Sequence, residues 1–242
     1  MKNKIFAIIL ACLTFWIYPA LSKEVIESFD SLLQVQKDGS IIVTETIIVH
    51  HEGNKIKRGI YRDLPTANGE RYELLDVKRN FNAEPNFVEK RQGYYRINTG
   101  DNSFLPRPAR SVFEIKYKVW NVPTSFEGYD EVYWNVTGDG WAFPIEKVST
   151  QIELPENAKI IQQASYIGKK GSKNRATDNG DGKFTGRYLN PGEQLTIAVG
   201  FTPGIVSTQK KEVIESFDSL LQVQKDGSII VTETIEVYHT GD

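Results

Sequence analysis

The sequence is nearly free of sulfur. Its 242 residues include one cysteine and one methionine, and both Cys12 and Met1 lie within the first 22 residues. The other 220 residues therefore cannot form a disulfide, supply a thiolate nucleophile or hold a zinc ion with cysteine ligands. This excludes small disulfide-stabilised domains and cysteine-dependent enzymes.

An excess of positive charge is also absent. Residues 1–22 contain two lysines and no acidic residue, so 27 of the 29 basic residues and all 31 acidic residues lie in the remainder, which has a formal charge of −4. Because nucleic-acid binding usually requires a basic excess, the sequence predicts no nucleic-acid partner. A length of 220 residues is enough for one large all-β domain or two small ones, with a hydrophobic core.

Long hydrophobic runs are missing, and the apolar stretch near the start is short. Two lysines precede Ile5–Ile17, whose 13 residues fall below the roughly 20 of a membrane-spanning helix. Small residues follow at Ala20 and Ser22, which predicts a signal peptide over residues 1–22 that is cleaved before Lys23.

Export follows from that signal peptide. It places the protein on the periplasmic or cell-surface side of a bacterial cytoplasmic membrane, anchored if the natural chain continues past Asp242. A retained membrane anchor and lipidation at Cys12 are the alternatives to cleavage.

The chain repeats its own beginning. Residues 23–54 recur as residues 211–242, with 28 of 32 positions identical, including the first 25 in a row. A match of this length indicates duplication of one segment. The differences fall on alternate residues, which is the period of a β-strand: Ile48/Glu236, His50/Tyr238, Glu52/Thr240 and Asn54/Asp242. The unchanged face with Ile47 and Val49 is therefore the better candidate for the core.

Each copy has the pattern of a β-hairpin. In the first copy Lys37–Ser40 is the predicted turn, where Gly39 can take a positive φ. Apolar residues line one face of both strands: Phe29, Leu33, Val35, Ile41, Val43, Ile47 and Val49. Glu45 interrupts that face, and so does Glu233 in the second copy, so each carboxylate is expected at an edge or in a pair.

The middle of the chain is predicted to be strands and turns throughout. Alternating or β-rich segments occur at Tyr72–Phe81, Phe87–Arg91, Tyr94–Asn98, Ser111–Trp120, Glu131–Val136, Val148–Leu154, Lys159–Ile167 and Leu195–Phe201. Glycine and proline separate them, and no window has a helical apolar stripe. We therefore predict an all-β fold, an antiparallel, immunoglobulin-like β-sandwich of about ten strands.

The predicted domain organisation has four parts. After the signal peptide (residues 1–22), residues 23–206 form the β-sandwich domain and residues 207–210 form a linker. Residues 211–242 are an orphan β-hairpin, the start of a second domain that is incomplete in this sequence.

Two segments are too specific to be generic strand sequence. They are Arg58–Pro65 (RGIYRDLP) and Asp130–Gly138 (DEVYWNVTG), the second leading through Trp141 to Pro144 and Ile145. Residues 38–47 (DGSIIVTETI) precede them as a third motif. With the turn at Leu189–Glu193, their order resembles the N-terminal extracytoplasmic domain of the predicted-membrane-protein family called domain of unknown function 2207. The resemblance covers roughly Glu24–Val206.

The resemblance implies a signal peptide and a β-rich domain outside the membrane, followed by membrane helices and a low-complexity tail. It implies no catalytic residue, since the family has no established activity. This chain differs from the family pattern because the duplicated segment, and not a membrane helix, follows Val206.

The Arg58–Pro65 segment has two interpretations. Arg58, Arg62 and Asp63 surround Tyr61, which suits a cationic aromatic loop that recognises an acidic envelope protein, a lipid headgroup or a cell-wall polymer. The preferred alternative is a structural corner in which Tyr61 packs and Arg62 pairs with Asp63.

The Asp130–Gly138 segment also has two interpretations. Glu131 and Tyr133 share one face of a strand and Trp134 points to the other, so a buried tryptophan that stabilises the core is preferred. The alternative is an aromatic surface that binds carbohydrate or peptide. The candidate binding residues are Arg58, Tyr61, Arg62, Asp63, Glu131, Tyr133 and Trp141.

No metal, cofactor or catalytic residue is predicted. Asp178–Gly182 lacks the acid spacing of a calcium loop and is better explained as a hairpin turn. His50 and His51 are adjacent on a strand and point apart, with no third ligand evident.

Three functional hypotheses follow. The favoured one is a non-catalytic binding or structural module of the bacterial envelope. The second is an envelope enzyme that acts on glycan through Asp63, Asp130 or Glu131. The third is self-association, in which residues 211–242 exchange into another molecule, although the start of a tandem second domain is the simpler interpretation of that segment.

Overall fold

The computed structural model describes residues 24–209 and 213–238. Within these ranges the chain forms 17 strands and no helix, so the predicted all-β class is confirmed. No described helix is therefore long and apolar enough to cross a membrane. The predicted signal peptide lies outside the described residues.

The largest sheet has eight strands, and the first hairpin lies near its middle. The order across the sheet is β13 (Thr177–Asp178), β14 (Lys183–Leu189), β11 (Ile145–Glu153), β1 (Val25–Val35), β2 (Ile41–His51), β8 (Ala109–Trp120), β4 (Arg71–Arg79) and β5 (Asn82–Ala83). β1 and β2 pair from Val25 with His50 to Val35 with Ile41, as the hairpin pattern predicted. Gly39 has φ +79° in the turn between them.

One strand pairing in this sheet differs from the antiparallel prediction. β1 runs parallel to β11, with Phe29 opposite Val148 and Leu33 opposite Ile152. A parallel pair needs a long connection between its two strands. Here the connection is residues 36–144, which include β2 and every strand up to the one before β11. The pattern of a single segment carries no signal for such a distant partner.

Two smaller sheets complete the body of the protein. The four-stranded sheet has the order β12 (Ile160–Gly168), β15 (Gln194–Phe201), β10 (Tyr129–Asn135) and β9 (Thr124–Phe126). The three-stranded sheet has the order β3 (Tyr61–Pro65), β7 (Tyr94–Thr99) and β6 (Asn86–Arg91). The described residues thus hold more strands than the ten predicted. Several missed strands are short, and β14, although continuous, contains Gly186, which weakens its strand pattern in the sequence.

All three sheets contribute to one hydrophobic core. Phe29, Leu33, Ile47 and Val49 are fully buried, which confirms the core face predicted from the repeat, while Ile48 on the other face is half-buried. The alternating face of β8 is fully buried as well, from Phe113 to Val119. Burial of these large side chains is the main stabilising contribution to the fold.

The segment after β15 is bound to the domain. The backbone N–H of Ser207 donates to the carbonyl of Lys37 (3.0 Å), and that of Gln209 donates to the carbonyl of Pro123 (2.8 Å). The first residues of the predicted linker are therefore held beside the β1–β2 turn.

The second copy forms a separate two-stranded sheet. β16 (Val213–Val223) and β17 (Ile229–Tyr238) pair with each other, and no third strand joins them in the described part of the chain. Its apolar side chains, such as Phe217 and Leu221, are exposed. Residues 210–212 and 239–242 lie outside the described residues.

Candidate functional site

A buried ion pair joins the three-stranded sheet to the eight-stranded sheet. Arg62 on β3 is 2% exposed and Glu45 on β2 is fully buried. The guanidinium donates from Nε to Glu45 Oε2 (2.8 Å) and from Nη2 to Glu45 Oε1 (2.9 Å). This bidentate geometry is the strongest form of an arginine–carboxylate contact. Of the two positions that the sequence allowed for Glu45, at an edge or in a pair, the structure shows the pair.

The remaining hydrogen-bonding groups of this pair are also satisfied. Arg62 donates from Nη1 to the carbonyl of Asp63 (2.9 Å) and from Nη2 to the carbonyl of Val136 (2.9 Å), just after β10. The Tyr117 hydroxyl on β8 donates to Glu45 Oε1 (2.7 Å). One arginine therefore connects residues of all three sheets, which fixes the position of β3 relative to β10.

The surroundings of the pair raise the pKa of Arg62 and of its neighbour Tyr117. Burial is the largest single influence on Arg62 and acts to lower its pKa, but the charge of Glu45, its hydrogen bonds and the nearby Tyr117 and Tyr72 together raise that pKa. Burial raises the pKa of Tyr117, and the charge of Glu45 raises it further. Tyr117 therefore remains a hydroxyl donor, as the hydrogen bond to Glu45 requires.

Gly138 allows the chain after β10 to lie against the arginine. Its φ is +68°, a conformation that side chains with a Cβ rarely adopt. A Cβ at this position would lie 2.8 Å from Arg62 Nη1. The glycine of the Asp130–Gly138 motif is thus explained by its contact with the arginine of the Arg58–Pro65 motif.

An open cleft of about 820 Å³ lies beside this connection. It is lined by residues of β3, β10 and β12, by the loop at 66–70, and by the turns at 138–140 and 168–172. The volume falls within the range of small-molecule binding sites. We call it the tyrosine cleft, after Tyr94, Tyr133 and Tyr166, which line it.

The three tyrosines come from three strands. Tyr133 on β10 is the most accessible, with 57% of its surface exposed. Tyr94 on β7 and Tyr166 on β12 are half-buried. The Arg175 guanidinium lies 4.6 Å from the ring centre of Tyr166, and that of Arg96 lies 5.4 Å from the ring centre of Tyr94. Cation–π contacts with arginine thus position the rings of Tyr166 and Tyr94, whereas most of the Tyr133 surface is accessible to a ligand.

Arg96 organises one rim of the cleft. It donates to Asp63 from Nε (2.6 Å) and from Nη2 (2.8 Å), and it also lies 4.1 Å from the ring centre of Tyr61. The pKa of Arg96 is raised, first by its hydrogen bonds to Asp63, with burial acting in the opposite direction. Asp63 is thereby fixed at the cleft wall.

Charges of both signs line the tyrosine cleft. Acidic side chains come from Asp63, Glu70 and Asp139, and basic ones from Lys169 and Lys170 in the turn after β12. The cleft therefore presents hydrogen-bond donors, acceptors and aromatic faces, without a concentration of positive charge. Among residues 24–209 and 213–238 no group of three histidine or acidic side chains is placed to hold a metal ion.

Most of the chain matches one known protein family. The family model described as "Predicted membrane protein (DUF2207) N-terminal domain" matches residues 25–201. The chain belongs to this family. The resemblance inferred from the three motifs is therefore confirmed, and the tyrosine cleft and the buried ion pair lie within the matched region.

A curated relative of this DUF2207 domain is the "Uncharacterized protein YciQ" of Escherichia coli (strain K12). It is 26% identical over 224 residues, which cover 86% of this chain and 35% of the relative. The chain thus spans about a third of the length of that relative.

Solved structures give only partial likenesses to the DUF2207 domain. Yeast LTA4 hydrolase in complex with bestatin has a TM-score of 0.46 at 11% identity, covering 82% of this chain and 29% of the hydrolase. An M1 zinc metallopeptidase from Deinococcus radiodurans has a TM-score of 0.41 at 11% identity, covering 90% of this chain and 48% of the peptidase. With TM-scores below 0.5, these likenesses assign no activity to the chain.

The residues predicted for the DUF2207 motifs are not all in one place. Asp63 and Tyr133 line the tyrosine cleft, and Tyr61 packs against Arg96, which pairs with Asp63. Arg62 pairs with Glu45 and Asp63 pairs with Arg96, so the ion pair expected between Arg62 and Asp63 does not form.

The other predicted residues lie away from the cleft. Arg58 donates to the carbonyl of Asn102 (3.1 Å) and packs over Phe104. Trp141 is buried, donates to the carbonyl of Thr137 (2.9 Å) and contacts the Phe29 ring edge to face. Trp134 borders the cleft but is itself buried, as preferred from the sequence.

The carboxylates of the enzyme hypothesis do not share a cleft. Asp130 is buried and accepts the backbone N–H of Gly204 (2.9 Å), which is a structural contact. Glu131 is half-buried, and its burial raises its pKa. Of the three carboxylates only that of Asp63 lines the tyrosine cleft, so no facing pair of the glycosidase type exists among them.

The sequence pattern missed Tyr94, Tyr166 and Arg96. Each lies in a predicted strand, yet nothing in a strand pattern indicates that strands far apart in sequence meet at one cleft. Tyr94 follows the Gln92-Gly93 turn directly, and an aromatic residue beside a turn at the end of a hairpin is the weak signal that was present.

Proposed function

We propose that this domain is a non-catalytic binding module of the bacterial envelope and that its ligand is a cell-wall polymer held in the tyrosine cleft. The observation that carries this proposal is the convergence of Tyr94, Tyr133 and Tyr166 on one open cleft. The walls of that cleft are fixed by the buried pair of Arg62 and Glu45.

The chemistry of the cleft favours a glycan-like polymer. A tyrosine offers an apolar ring and a hydroxyl together, which suits sugar rings with apolar faces and polar edges. Asp63 and Asp139 add acceptors, and Lys169 adds a donor. A lipid headgroup surface would require a cluster of basic residues, which the cleft lacks.

An envelope location is part of the proposal. It is supported by the signal-peptide pattern of residues 1–22 and by the description of the family as predicted membrane proteins. We also include an immunoglobulin-like sandwich arrangement for the two larger sheets. It is supported by their shared hydrophobic core and by their mainly antiparallel pairing.

Co-sedimentation with purified peptidoglycan tests the proposal. The purified chain is expected to sediment with peptidoglycan and to remain in solution with vesicles of anionic phospholipid. Tyr133→Ala is expected to weaken binding about tenfold or more, because an exposed aromatic ring at the centre of a site contributes about 2 kcal/mol.

Tyr188→Ala is the matched control. Tyr188 is 75% exposed and does not line the cleft, so its removal is expected to leave binding unchanged. Equal binding by the two variants, at equal unfolding temperatures, would contradict a role for the cleft. Sedimentation with the vesicles alone would identify a lipid headgroup ligand instead.

A further inference from the structure

The second hairpin repeats the first in backbone register as well as in sequence. Val35 pairs with Ile41 in the first hairpin, and Val223 pairs with Ile229 in the second. The irregularity between Ile26 and Ser28 recurs between Ile214 and Ser216. β16 and β17 therefore already have the backbone pairing that the β1–β2 site of the eight-stranded sheet requires.

The two hairpins differ in what covers their apolar face. Phe29 and Leu33 are fully buried, whereas their counterparts Phe217 and Leu221 are 55% and 59% exposed. Further apolar residues of the second hairpin are exposed too: Val223, Ile229, Val231 and Ile235. A patch of this kind marks an interaction surface.

Glu233 restricts which surface can cover that face. It is the counterpart of Glu45 and lies among the apolar residues, where burial of a carboxylate without a cation is strongly unfavourable. Two second hairpins packed face to face would bury two unpaired carboxylates. The β1–β2 site, in contrast, supplies Arg62 and Tyr117 for a glutamate at this position.

Contacts on the solvent side of the site are also preserved. Asp30 accepts from Ser149 Oγ at 2.5 Å, and Asp38 pairs with Lys118 at 3.4 Å. The corresponding residues of the second copy are Asp218 and Asp226. Every side chain of β1 and most of β2 thus has an identical replacement.

The site in the same chain is out of reach. A hairpin in this site must begin at the position of Val25, ten residues along β1 from Val35, or about 33 Å from the turn. Ser207 is bound beside that turn, at Lys37, and Gln209 is bound at Pro123. From Gln209 to Val213 there are four residue steps, which span at most about 14 Å.

We propose that residues 213–238 are an exchange segment that occupies the β1–β2 site of a second copy of this chain. Because donor and acceptor surfaces lie on different parts of the molecule, the contact is head-to-tail and can continue from copy to copy. The partner is therefore another molecule of the same protein, and it binds through strand replacement.

In the unsubstituted chain the resident hairpin and the incoming hairpin compete for the β1–β2 site with nearly equal interactions. Exchange replaces one hairpin with a nearly identical one, so the incoming hairpin makes the same interactions in the site as the resident hairpin that it displaces. The resident hairpin has the advantage of a tether, equivalent to a local concentration of about 1 mM. We therefore expect the natural chain to be mainly monomeric at about 10 μM, and a substitution that weakens only the resident hairpin should shift the balance.

Glu45→Ala is that substitution. It leaves Arg62 without its partner when the resident hairpin is in place, whereas an exchanged hairpin still supplies Glu233. The equilibrium is expected to shift towards exchange by about 10²- to 10³-fold. After refolding from urea at about 10 μM, this variant should elute from size exclusion as dimers and larger species, while the natural chain elutes as a monomer.

Two variants provide the controls. Glu233→Ala should remain a monomer, and the Glu45→Ala, Glu233→Ala double variant should lose the larger species and unfold at a lower denaturant concentration than Glu45→Ala. A monomeric Glu45→Ala variant would overturn the proposal. So would a Glu45→Ala variant whose size and stability equal those of the double variant, including the case in which both fail to fold.

A disulfide measurement identifies the contact itself. Thr44 on β2 lies opposite Lys116 on β8. Its counterpart in the second hairpin is Thr232, which must therefore lie opposite Lys116 of the other molecule after exchange. In the Glu45→Ala background, Thr232→Cys with Lys116→Cys should give a covalent dimer on oxidation. Thr44→Cys with Lys116→Cys should give an internal disulfide in the natural background. Failure of the first pair where the second pair forms would exclude this register.

Discussion

The carboxylate of Glu45 and the guanidinium of Arg62 lie 2.8 Å apart, although the two residues belong to different sheets. Each group satisfies the other within the core, and Tyr117 and the carbonyl of Val136 complete their hydrogen bonds. The pair sets the distance between β2, β3 and the chain that follows β10. It therefore connects the stability of the core to the shape of the tyrosine cleft.

Arg62→Ala is expected to reduce the free energy of unfolding by about 3–5 kcal/mol, because it leaves the buried carboxylate of Glu45 unpaired. Urea unfolding followed by tryptophan fluorescence measures this loss. Arg110→Ala is the comparison, since Arg110 pairs with Glu27 at the surface and its loss should cost less than about 1 kcal/mol. Equal losses for the two variants would show that the buried pair does not stabilise the domain.

Gly138→Ala is expected to reduce stability by about 1–3 kcal/mol through its positive φ, with an additional loss from the contact of the new Cβ with Arg62. Gly180→Ala separates these effects, because Gly180 has φ +80° and open space at the Cβ position. The stability difference between the two variants measures the contact with Arg62. We expect polymer binding to weaken in the first variant only.

Glu24 is expected to make the domain less stable in acid. Burial acts to raise the pKa of Glu24, but backbone N–H donors from Lys55, Asn54, Glu52 and Ile56 outweigh burial and lower it from 4.5. The folded state thus favours the carboxylate. This stabilisation is complete above about pH 4.5 and is lost as the pH falls through the lowered folded-state value.

Glu24→Gln tests that dependence. The variant is expected to be less stable than the natural chain at pH 7, and the difference should shrink as the pH falls towards 3 and the natural carboxyl takes up its proton. Unfolding midpoints in urea at several pH values provide the measurement. A constant difference between pH 7 and pH 3 would exclude this role of Glu24.

His51 is expected to add a second pH effect at higher pH. Burial lowers its pKa from 6.5, opposed by the charge of Glu24, and its Nε2 lies 2.9 Å from Ser111 Oγ. The unfolded chain therefore binds the proton more readily than the folded chain. The stabilisation associated with neutral, buried His51 is therefore present above about pH 6.5 and decreases as the pH falls below that value.

His51→Gln should remove the loss of stability between pH 7 and about pH 5.5, whereas His50→Gln should retain it because His51 is intact. Thermal unfolding at matched ionic strength distinguishes the two variants. Identical pH profiles for both would assign the effect to another group.

Local patterns predicted the local structure. The face of Phe29, Leu33 and Ile47, the turn at Gly39 and the burial of Trp134 were all readable from alternation and turn chemistry. The family followed from three motifs. These features depend on residues close in sequence, where the geometry of a strand or a turn decides the outcome.

Relationships between distant strands were not predictable in the same way. The parallel pairing of β1 with β11 and the pairing of Glu45 with Arg62 depend on how the sheets stack. The pattern indicated that Glu45 needed a partner but did not identify it. The tyrosine cleft was found only in part for the same reason, since Asp63 and Tyr133 were candidates while Tyr94 and Tyr166 were not.

The central position of β1 has a consequence for folding kinetics. Its hairpin with β2 can form as soon as the first residues are available, but the edge of β1 remains open until β11 arrives from far along the chain. Pairing over such a sequence distance is slow, because loop-closure entropy is lost before the contacts form. During that interval the nascent sheet has an unpaired edge. The order in which the segments are synthesised therefore decides which of the two hairpins is available first to pair with β11.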